Sequence, residues 1–233
     1  MSEALAAHEA GQVRVRDLFV TDAPRHAEHS DRARAAGVPV HEVTERAAAS
    51  LSETVTPQGL VAVCDLPATS LREALAQRPR LVAVLVGISD PGNAGTVLRV
   101  ADAAGAGAVL FAGDSVDAYN GKAVRASTGS LFHLPVARDR EVTAVLEACR
   151  SAGLRLVGAD GHAAGDLDAA DISGELAEPT AWVFGSEAHG LSAQVTAQLD
   201  SVLRVPLYGR AESLNLATAA AVCLYASARA QHR

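Results

Sequence analysis

One stretch near the C-terminus, residues 203–225, reads LRVPLYGRAESLNLATAAAVCLY. It begins with a short apolar segment that predicts a strand ending at Pro206, and its alanine-rich second half predicts a helix. Ser213 stands where a helix N-cap is expected, because its hydroxyl can accept a hydrogen bond from a free amide in the next turn. The turn therefore offers backbone N–H groups together with Arg210, Ser213 and Asn215, which suits a polar small molecule. An ordinary strand–turn–helix connection is the alternative.

The composition limits the partners that the chain can have. The 233 residues suffice for one large domain or two small ones, and the formal net charge is −7. Lys122 is the only lysine, so the other positive side chains are arginines. An acidic chain lacks the broad basic surface that holds a nucleic acid by charge alone, so an RNA partner would need local contacts from arginines.

The sequence has no signal for a membrane, for secretion or for a metal. Cys64, Cys149 and Cys223 are odd in number and lack metal-ligand spacing, which favours small buried residues in a reducing compartment. The acidic loop 160–171 contains His162, but no pair of ligands shares a helix face, which favours a solvated loop. The first ten residues lack the cationic start of a signal peptide, and no apolar run approaches the ~20 residues of a membrane span. We therefore expect a cytoplasmic protein without a bound metal.

The hydrophobic pattern divides the chain into two α/β domains. Residues 1–66 predict a small domain with strands at 13–20, 38–43 and 60–66 and helices at 24–36 and 44–52. Residues 67–79 are expected to be a linker that could form a helical turn. From residue 80 to 233, strands and helices alternate and the strands are apolar, which is typical of a parallel sheet covered on both faces.

The second domain is predicted to contain six strands and five helices. The predicted strands are 81–87, 108–113, 131–136, 154–160, 181–185 and 201–207, and the predicted helices are 93–105, 120–128, 141–153, 192–199 and 214–230. A polar loop is expected after residue 160. Gly105-Ala106-Gly107 follows a helix and precedes a strand, the reverse of a dinucleotide fingerprint, so it predicts a helix end and a turn rather than a Rossmann site.

Two further blocks of sequence, taken together with the stretch 203–225, match the sequence motifs of a known protein family. Residues 89–107 read SDPGNAGTVLRVADAAGAG, and residues 181–192 read AWVFGSEAHGLS. Together the three blocks resemble the SpoU (TrmH-like) family of RNA 2′-O-ribose methyltransferases in the SPOUT superfamily. The order and spacing match, and the matching residues are Asn93, Gly95 and Arg99, then Gly185, Glu187 and Gly190, then Pro206, Gly209, Ser213, Leu214 and Asn215.

The resemblance implies a fold and a cofactor. It implies a ribosomal-protein-like RNA-binding domain at 1–66, shorter at its start than family members usually are, and a methyltransferase domain at 80–233 with a C-terminal trefoil knot. It implies that the knotted loops bind S-adenosylmethionine. The residues expected to bind this cofactor are Gly185, Val205, Leu207, Ser213 and Leu214.

The resemblance also implies transfer of a methyl group to a ribose 2′-hydroxyl. Arg99 is expected to meet the target ribose and to stabilise the developing alkoxide, since an arginine with a pKa above ~12 is a poor base. Asn93 would orient the ribose or a neighbouring phosphate, and Glu187, Ser213 and Asn215 would hold Arg99 and the substrate. Two structural alternatives stay open, a surface arginine at 99 and a simple N-cap at Ser213.

Ribosomal RNA is the expected substrate, with transfer RNA second. The alternatives are an RNA-binding protein of the same fold that has lost catalysis and an unrelated α/β nucleotide binder. A homodimer is also expected, because the last helix carries apolar residues almost all round and needs cover on two sides. Its two predicted apolar stripes run through Leu214, Ala217, Ala221, Leu224, Tyr225 and Ala228, and through Leu216, Ala219, Ala220, Val222 and Cys223.

Overall fold

The computed structural model describes residues 1–22, 24–52, 54 and 57–233, which form two compact units, Met1–Pro67 and Ala68–Arg233. The first unit contains a three-stranded sheet in the order β2-β1-β3, with β1 parallel to β2 and antiparallel to β3. Its elements are α1 (Ser2–Glu9), β1 (Val15–Thr21), a 3-10 turn (Pro24–His26), α2 (Ala27–Ala35), β2 (Val40–Val43), α3 (Glu45–Ser50) and β3 (Leu60–Cys64). The strands and helices predicted for this unit are all present, with shifted ends.

The second unit is built on an eight-stranded sheet in which every pairing is parallel. Its first half contains β4 (Ala68–Thr69), α4 (Leu71–Ala74), β5 (Leu81–Val86), α5 (Pro91–Ala103), β6 (Ala108–Ala112), α6 (Gly121–Ser127), β7 (Val136–Asp139) and α7 (Val142–Ser151). Its second half contains β8 (Arg155–Ala159), β9 (Gly165–Asp166), α8 (Leu167–Ile172), β10 (Thr180–Phe184), α9 (Ala193–Thr196), β11 (Ser201–Arg204) and α10 (Leu216–Gln231). The predicted parallel α/β sheet is therefore confirmed.

Strand order places β5 and β10 side by side at the centre of the sheet. The order is β4-β7-β6-β5-β10-β8-β11-β9, so residues far apart in sequence end at the same edge. In β5, Leu81, Ala83 and Leu85 pack on the face covered by α5 and α10, whereas Val82 and Val84 pack on the face covered by α7. This alternation follows from the two-residue period of a strand. The trefoil knot is not established by strand order and stays a prediction.

Close packing of α5 against α6 fixes the position of both helices. A Cβ added at Gly95 would lie 2.3 Å from the carbonyl oxygen of Ala123, a distance at which the helices would have to separate. Only glycine therefore allows this approach. This contact explains in physical terms why a glycine stands at position 95 of the first block.

Besides shifted ends of β11, α5 and α9, four parts of the second unit differ from the prediction. Residues 131–135 are not a strand: a 3-10 turn (Ser130–Phe132) comes first and β7 begins only at Val136, because Pro135 lacks the N–H that a strand ladder needs. The segment expected to be a linker supplies β4 and α4, and the polar loop contains β9 and α8. The last helix begins at Leu216, two residues later than predicted.

Two of the three cysteines lie in the packed interior. Cys149 and Cys223 are buried, and burial raises the pKa of each thiol to about 12, so neither forms a reactive thiolate at neutral pH. Among the described residues no helix is both long and apolar enough to cross a membrane.

Candidate active site

A cavity of about 770 Å³ opens at the carboxyl edge of the parallel sheet. Its walls come from the loops that follow β5, β8, β10 and β11 and from the first turns of α5 and α10. In open α/β sheets, ligands bind outside the carboxyl ends of the strands. The volume is that of a small-molecule site, so this cavity is the candidate active site.

The Glu187 carboxylate joins the loop after β10 to the start of α5. Its Oε2 accepts hydrogen bonds from the amide and the hydroxyl of Ser89, each at 3.2 Å. Its Oε1 accepts from the amide of Asp90 at 3.3 Å and from Nδ2 of Asn93 at 3.1 Å. Glu187 therefore holds two loops that are almost a hundred residues apart in sequence.

The same hydrogen bonds set the charge of Glu187. Burial acts to raise the pKa of its carboxyl, but the hydrogen bonds from Asn93, Ser89 and Asp90 outweigh burial, so the pKa lies below the ordinary glutamate value. The carboxylate is thus ionised at neutral pH. It acts as a fixed acceptor in the cavity rather than as a proton donor.

Asn93 links Glu187 to the start of the last helix. Its Oδ1 accepts a hydrogen bond from Nδ2 of Asn215 at 3.0 Å while its own Nδ2 donates to Glu187. These two bonds fix the orientation of the Asn93 amide, because a flip would put acceptor against acceptor. Glu187, Asn93 and Asn215 thus form one hydrogen-bonded chain across three loops, and the structure brings these three predicted residues together.

The sequence predicted Ser213 as the N-cap of α10, and this prediction is wrong: the N-cap is Asn215. Oδ1 of Asn215 accepts from the amides of Ala217 at 2.9 Å and Thr218 at 3.3 Å. Ser213 is exposed, lines the cavity and makes no hydrogen bond within the part of the chain that the structure describes. Its hydroxyl is therefore available to a ligand.

Arg99 lies apart from this network. It is exposed on α5, is absent from the cavity wall, and makes no hydrogen bond or ion pair with any described residue. The expected contacts of Glu187, Ser213 and Asn215 with Arg99 are thus not present. Arg99 shares the exposed side of α5 with Thr96 and Ala103.

All five residues expected to bind the cofactor line the cavity: Gly185, Val205, Leu207, Ser213 and Leu214. At Gly185 the structure gives a physical reason for glycine. A Cβ there would lie 2.2 Å from the carbonyl carbon of Gly190, because the turn from Ser186 to Gly190 folds back over it. Gly190 itself has a φ of +63°, which favours glycine.

Sequence reasoning missed several polar residues of the cavity. Ser89 and Asp90 contact Glu187, and Asp90 is the N-cap of α5, a role that the pair Asp90-Pro91 signals because proline is common at the first helical position. Asp160 and His162 follow β8 and also line the cavity. Their position directly after a strand could have identified them.

The charge of the cavity wall restricts which ligand fits. Asp90, Asp160, Glu187 and Glu212 line it, and no lysine or arginine is among the described residues that do. Apolar contacts come from Phe184, Val205 and Leu214. A wall of apolar side chains and carboxylates suits a ligand that combines a flat apolar part with positive charge. S-adenosylmethionine, with its adenine, sulfonium and ammonium groups, fits this description.

No group of three or more metal-ligating side chains lies close enough to hold a metal ion within the described ranges. The expectation of a site without metal stays a prediction.

Comparison with known proteins gives two family matches and several relatives. Residues 80–225 match the SpoU rRNA Methylase family, and residues 2–70 match the family described as RNA 2′-O ribose methyltransferase substrate binding. The 23S rRNA (guanosine(2553)-2′-O)-methyltransferase RlmP of Bacillus subtilis is 37% identical over 189 residues, which cover 81% of this chain and 72% of the relative. The 23S rRNA (uridine(2479)-2′-O)-methyltransferase of Streptomyces viridochromogenes is 39% identical over 178 residues, which cover 74% of this chain and 61% of that relative.

A solved structure is similar over nearly the whole chain. The AdoMet-bound rRNA methyltransferase from Sinorhizobium meliloti superposes with a TM-score of 0.84 at 28% identity, and the match covers 98% of this chain and 85% of that one. The similarity therefore extends over both units.

Proposed function

The chain belongs to the SpoU rRNA methylase family, and from this membership we propose that it methylates a ribose 2′-hydroxyl of 23S ribosomal RNA. The family that the three sequence blocks predicted is confirmed, as is the prediction of an RNA 2′-O-methyltransferase that uses S-adenosylmethionine. The observation that best supports an active enzyme is the hydrogen-bonded chain of Glu187, Asn93 and Asn215 at the edge of the cavity.

S-adenosylmethionine supplies, when bound, an electrophilic methyl group on a sulfonium. Within the cavity, the residues that would hold it are Gly185, Val205, Leu207, Ser213 and Leu214. Apolar side chains at 205, 207 and 214 would cover its adenine, and the ionised Glu187 would favour its positive charge.

Asn93 is the residue that we expect to position the target ribose. Its amide is held by Glu187 on one side and Asn215 on the other, so it is already oriented before the substrate binds. Such preorganisation lowers the entropy cost of aligning the reacting oxygen. The exposed hydroxyl of Ser213 adds a second polar group at the same edge.

Arg99 would act on the developing negative charge of the ribose oxygen. A guanidinium stays protonated in proteins, so Arg99 stabilises an alkoxide by charge and hydrogen bonding. An RNA phosphate is then the proton acceptor that we propose. Arg99 has no partner among the described residues of its own chain, which leaves its guanidinium free for RNA.

We propose that Arg99 reaches the reaction centre in a homodimer. α10 lies beside α5, where the Tyr225 hydroxyl donates to the carbonyl of Ala103 at 3.3 Å. Val222 and Tyr225 are 39% and 45% exposed on α10, and Arg99 is exposed on α5. These side chains offer an apolar surface edged by a cation, and a two-fold dimer needs only one self-complementary surface of this kind.

The small N-terminal unit is the part that we propose to bind RNA outside the reaction centre. Residues 2–70 match a family described as RNA 2′-O ribose methyltransferase substrate binding, which supports this role. A ribosomal RNA substrate also supports the expected cytoplasmic location.

The test is to incubate the protein with methyl-labelled S-adenosylmethionine and either unmodified 23S ribosomal RNA or bulk transfer RNA. We expect labelling of the ribosomal RNA, and a Glu187→Gln variant should lose it while still binding RNA. Labelling of transfer RNA alone would exclude the proposed substrate. RNA binding without any transfer would favour the alternative, an RNA-binding protein that has lost catalysis.

A further inference from the structure

We propose that Lys122, with Arg125 on the next turn of α6, binds an RNA phosphate beside the target ribose. This inference rests on the proposed function, and it assigns residues outside the three sequence blocks. It is supported by the charge of the cavity, the position of Lys122 and the packing of α6.

The charge of the cavity creates a need for a cation at its edge. Four carboxylates line the wall, and no lysine or arginine of the described residues does. RNA brings one negative charge for each nucleotide, so a ribose that approaches this wall carries its phosphates toward carboxylates. A cation at the edge of the cavity would offset that repulsion.

Lys122 is placed at that edge. Its Nζ lies 2.9 Å from Oδ1 of Asp90, which lines the cavity. Its Cε would lie 3.1 Å from a Cβ added at Gly92, so the lysine side chain covers the first turn of α5. Asn93, the residue expected to position the ribose, is in the same turn.

The contact between Lys122 and Asp90 can be exchanged for a phosphate at little cost. The side chains are 57% and 47% exposed, and ion pairs this exposed contribute little to stability. Asp90 keeps its capping hydrogen bond from the amide of Gly92 when Lys122 turns away. The start of α5 therefore stays intact while the ammonium binds RNA.

Arg125 extends the positive charge along the same side of α6. It lies three residues after Lys122, a spacing that places two side chains next to each other on a helix. Arg125 is exposed and has no hydrogen bond or ion pair with the residues that the structure describes. The close contact of Gly95 with Ala123 holds α6 against α5, so the helix that carries both cations is fixed relative to Asn93.

The first test uses the fact that Lys122 is the only lysine of the chain. A lysine-directed acetylating reagent is applied to the whole protein, with and without a ribosomal RNA fragment that it methylates, and acetylation of Lys122 is measured by mass spectrometry. We expect at least threefold slower acetylation with the substrate fragment, and no change with a fragment of equal length that lacks the target. Equal rates in all three samples would overturn the proposal.

The second test separates RNA binding from cofactor binding and from folding. We expect Lys122→Gln and Arg125→Gln each to raise the KM for RNA three- to tenfold, with kcat within twofold and the Kd for S-adenosylmethionine unchanged. The plot of log affinity against log salt concentration should become shallower, with the magnitude of its negative slope smaller by about 0.7 to 0.9 for each charge removed. Lys122→Arg should restore the affinity, and Arg72→Gln, an exposed arginine on α4, should change nothing.

The outcomes distinguish this inference from the proposed function. A wild-type protein that methylates ribosomal RNA while both glutamine variants keep its KM and salt slope would overturn the phosphate contact alone. A lowered Tm or a weaker Kd for the cofactor in Lys122→Gln would show that Lys122 is structural, and this result would also overturn the proposed phosphate contact. A wild-type protein that methylates no ribosomal RNA would overturn both proposals.

Discussion

Asn215 has two separate tasks, and substitutions at this position should separate them. Its Oδ1 caps α10 by accepting from Ala217 and Thr218, and its Nδ2 donates to Asn93. Asn215→Ala removes both functions, whereas Asn215→Asp keeps the acceptor and removes the donor. The aspartate also places negative charge at a helix N-terminus, where it is favourable.

The sizes of the two effects follow from these contacts. Loss of an N-cap costs about 1 kcal/mol, and a further exposed hydrogen bond adds about 0.5 kcal/mol. For a protein of this size, Asn215→Ala should therefore lower the Tm by about 3–6 °C. Asn215→Asp should keep the Tm within about 1 °C, because its carboxylate still caps the helix and its favourable charge at the helix N-terminus offsets the lost hydrogen bond to Asn93 of about 0.5 kcal/mol.

In the aspartate variant, activity should fall although stability does not change. A carboxylate at 215 faces Oδ1 of Asn93, and if Asn93 flips to relieve this repulsion it loses its bond to Glu187. We expect kcat to fall at least tenfold in Asn215→Asp although its Tm is unchanged.

The assay is thermal unfolding by circular dichroism together with initial rates of methyl transfer. Ser213→Ala is the matched control for the cap, since Ser213 caps nothing, and its Tm should equal that of the wild type. The reasoning is refuted if the aspartate variant is as unstable as the alanine variant, or if it keeps wild-type activity.

Other predictions concern the same site. Arg99→Ala should leave the Kd for S-adenosylmethionine within twofold in calorimetry but lower kcat at least a hundredfold, and a loss of only a few-fold would make Arg99 a surface residue. Gly185→Ala should lower the Tm and weaken cofactor binding together, because its Cβ would collide with Gly190, and an unchanged Tm would contradict the packing. The pKa of Glu187 is lowered in the folded protein, so its stabilisation is complete above the ordinary glutamate pKa and is lost as the pH falls through the lowered value; the Tm difference between wild type and Glu187→Gln should shrink as the pH is lowered from 7 to below the ordinary glutamate pKa. Val222→Glu should give a monomer in light scattering with little transfer activity, and an active monomer would exclude the dimer.

The sequence predicted the central strands because their patterns allow few alternatives. The apolar runs at 81–87 and 181–185 are too short for buried helices and became β5 and β10. At 131–136 the same rule failed, since apolar letters alone hide the effect of Pro135 on a strand ladder. The helix α8 was missed because it has only six residues and lies in a stretch rich in aspartate and small residues, although Asp166 caps it.

The residues of the site were easier to predict than their contacts. Glu187, Asn93 and Asn215 stand in recognisable blocks. The bond from Asn93 to Glu187 spans 94 positions of sequence and the bond from Asn215 to Asn93 spans 122 positions, so both depend on strand order. The N-cap was misplaced for a related reason. Ser213 and Asn215 are both good caps by local rules, and the contact with Asn93 that accompanies the cap at Asn215 is a tertiary one.

The most direct test is the chemical identity of the methylated product. Ribosomal RNA treated with the protein and labelled S-adenosylmethionine would be digested to nucleosides and analysed by mass spectrometry. We predict a single 2′-O-methylated nucleoside, which is absent when Asn93→Ala is used. A methyl group on a base, or no methyl group from a folded wild-type protein that binds the cofactor, would contradict the account.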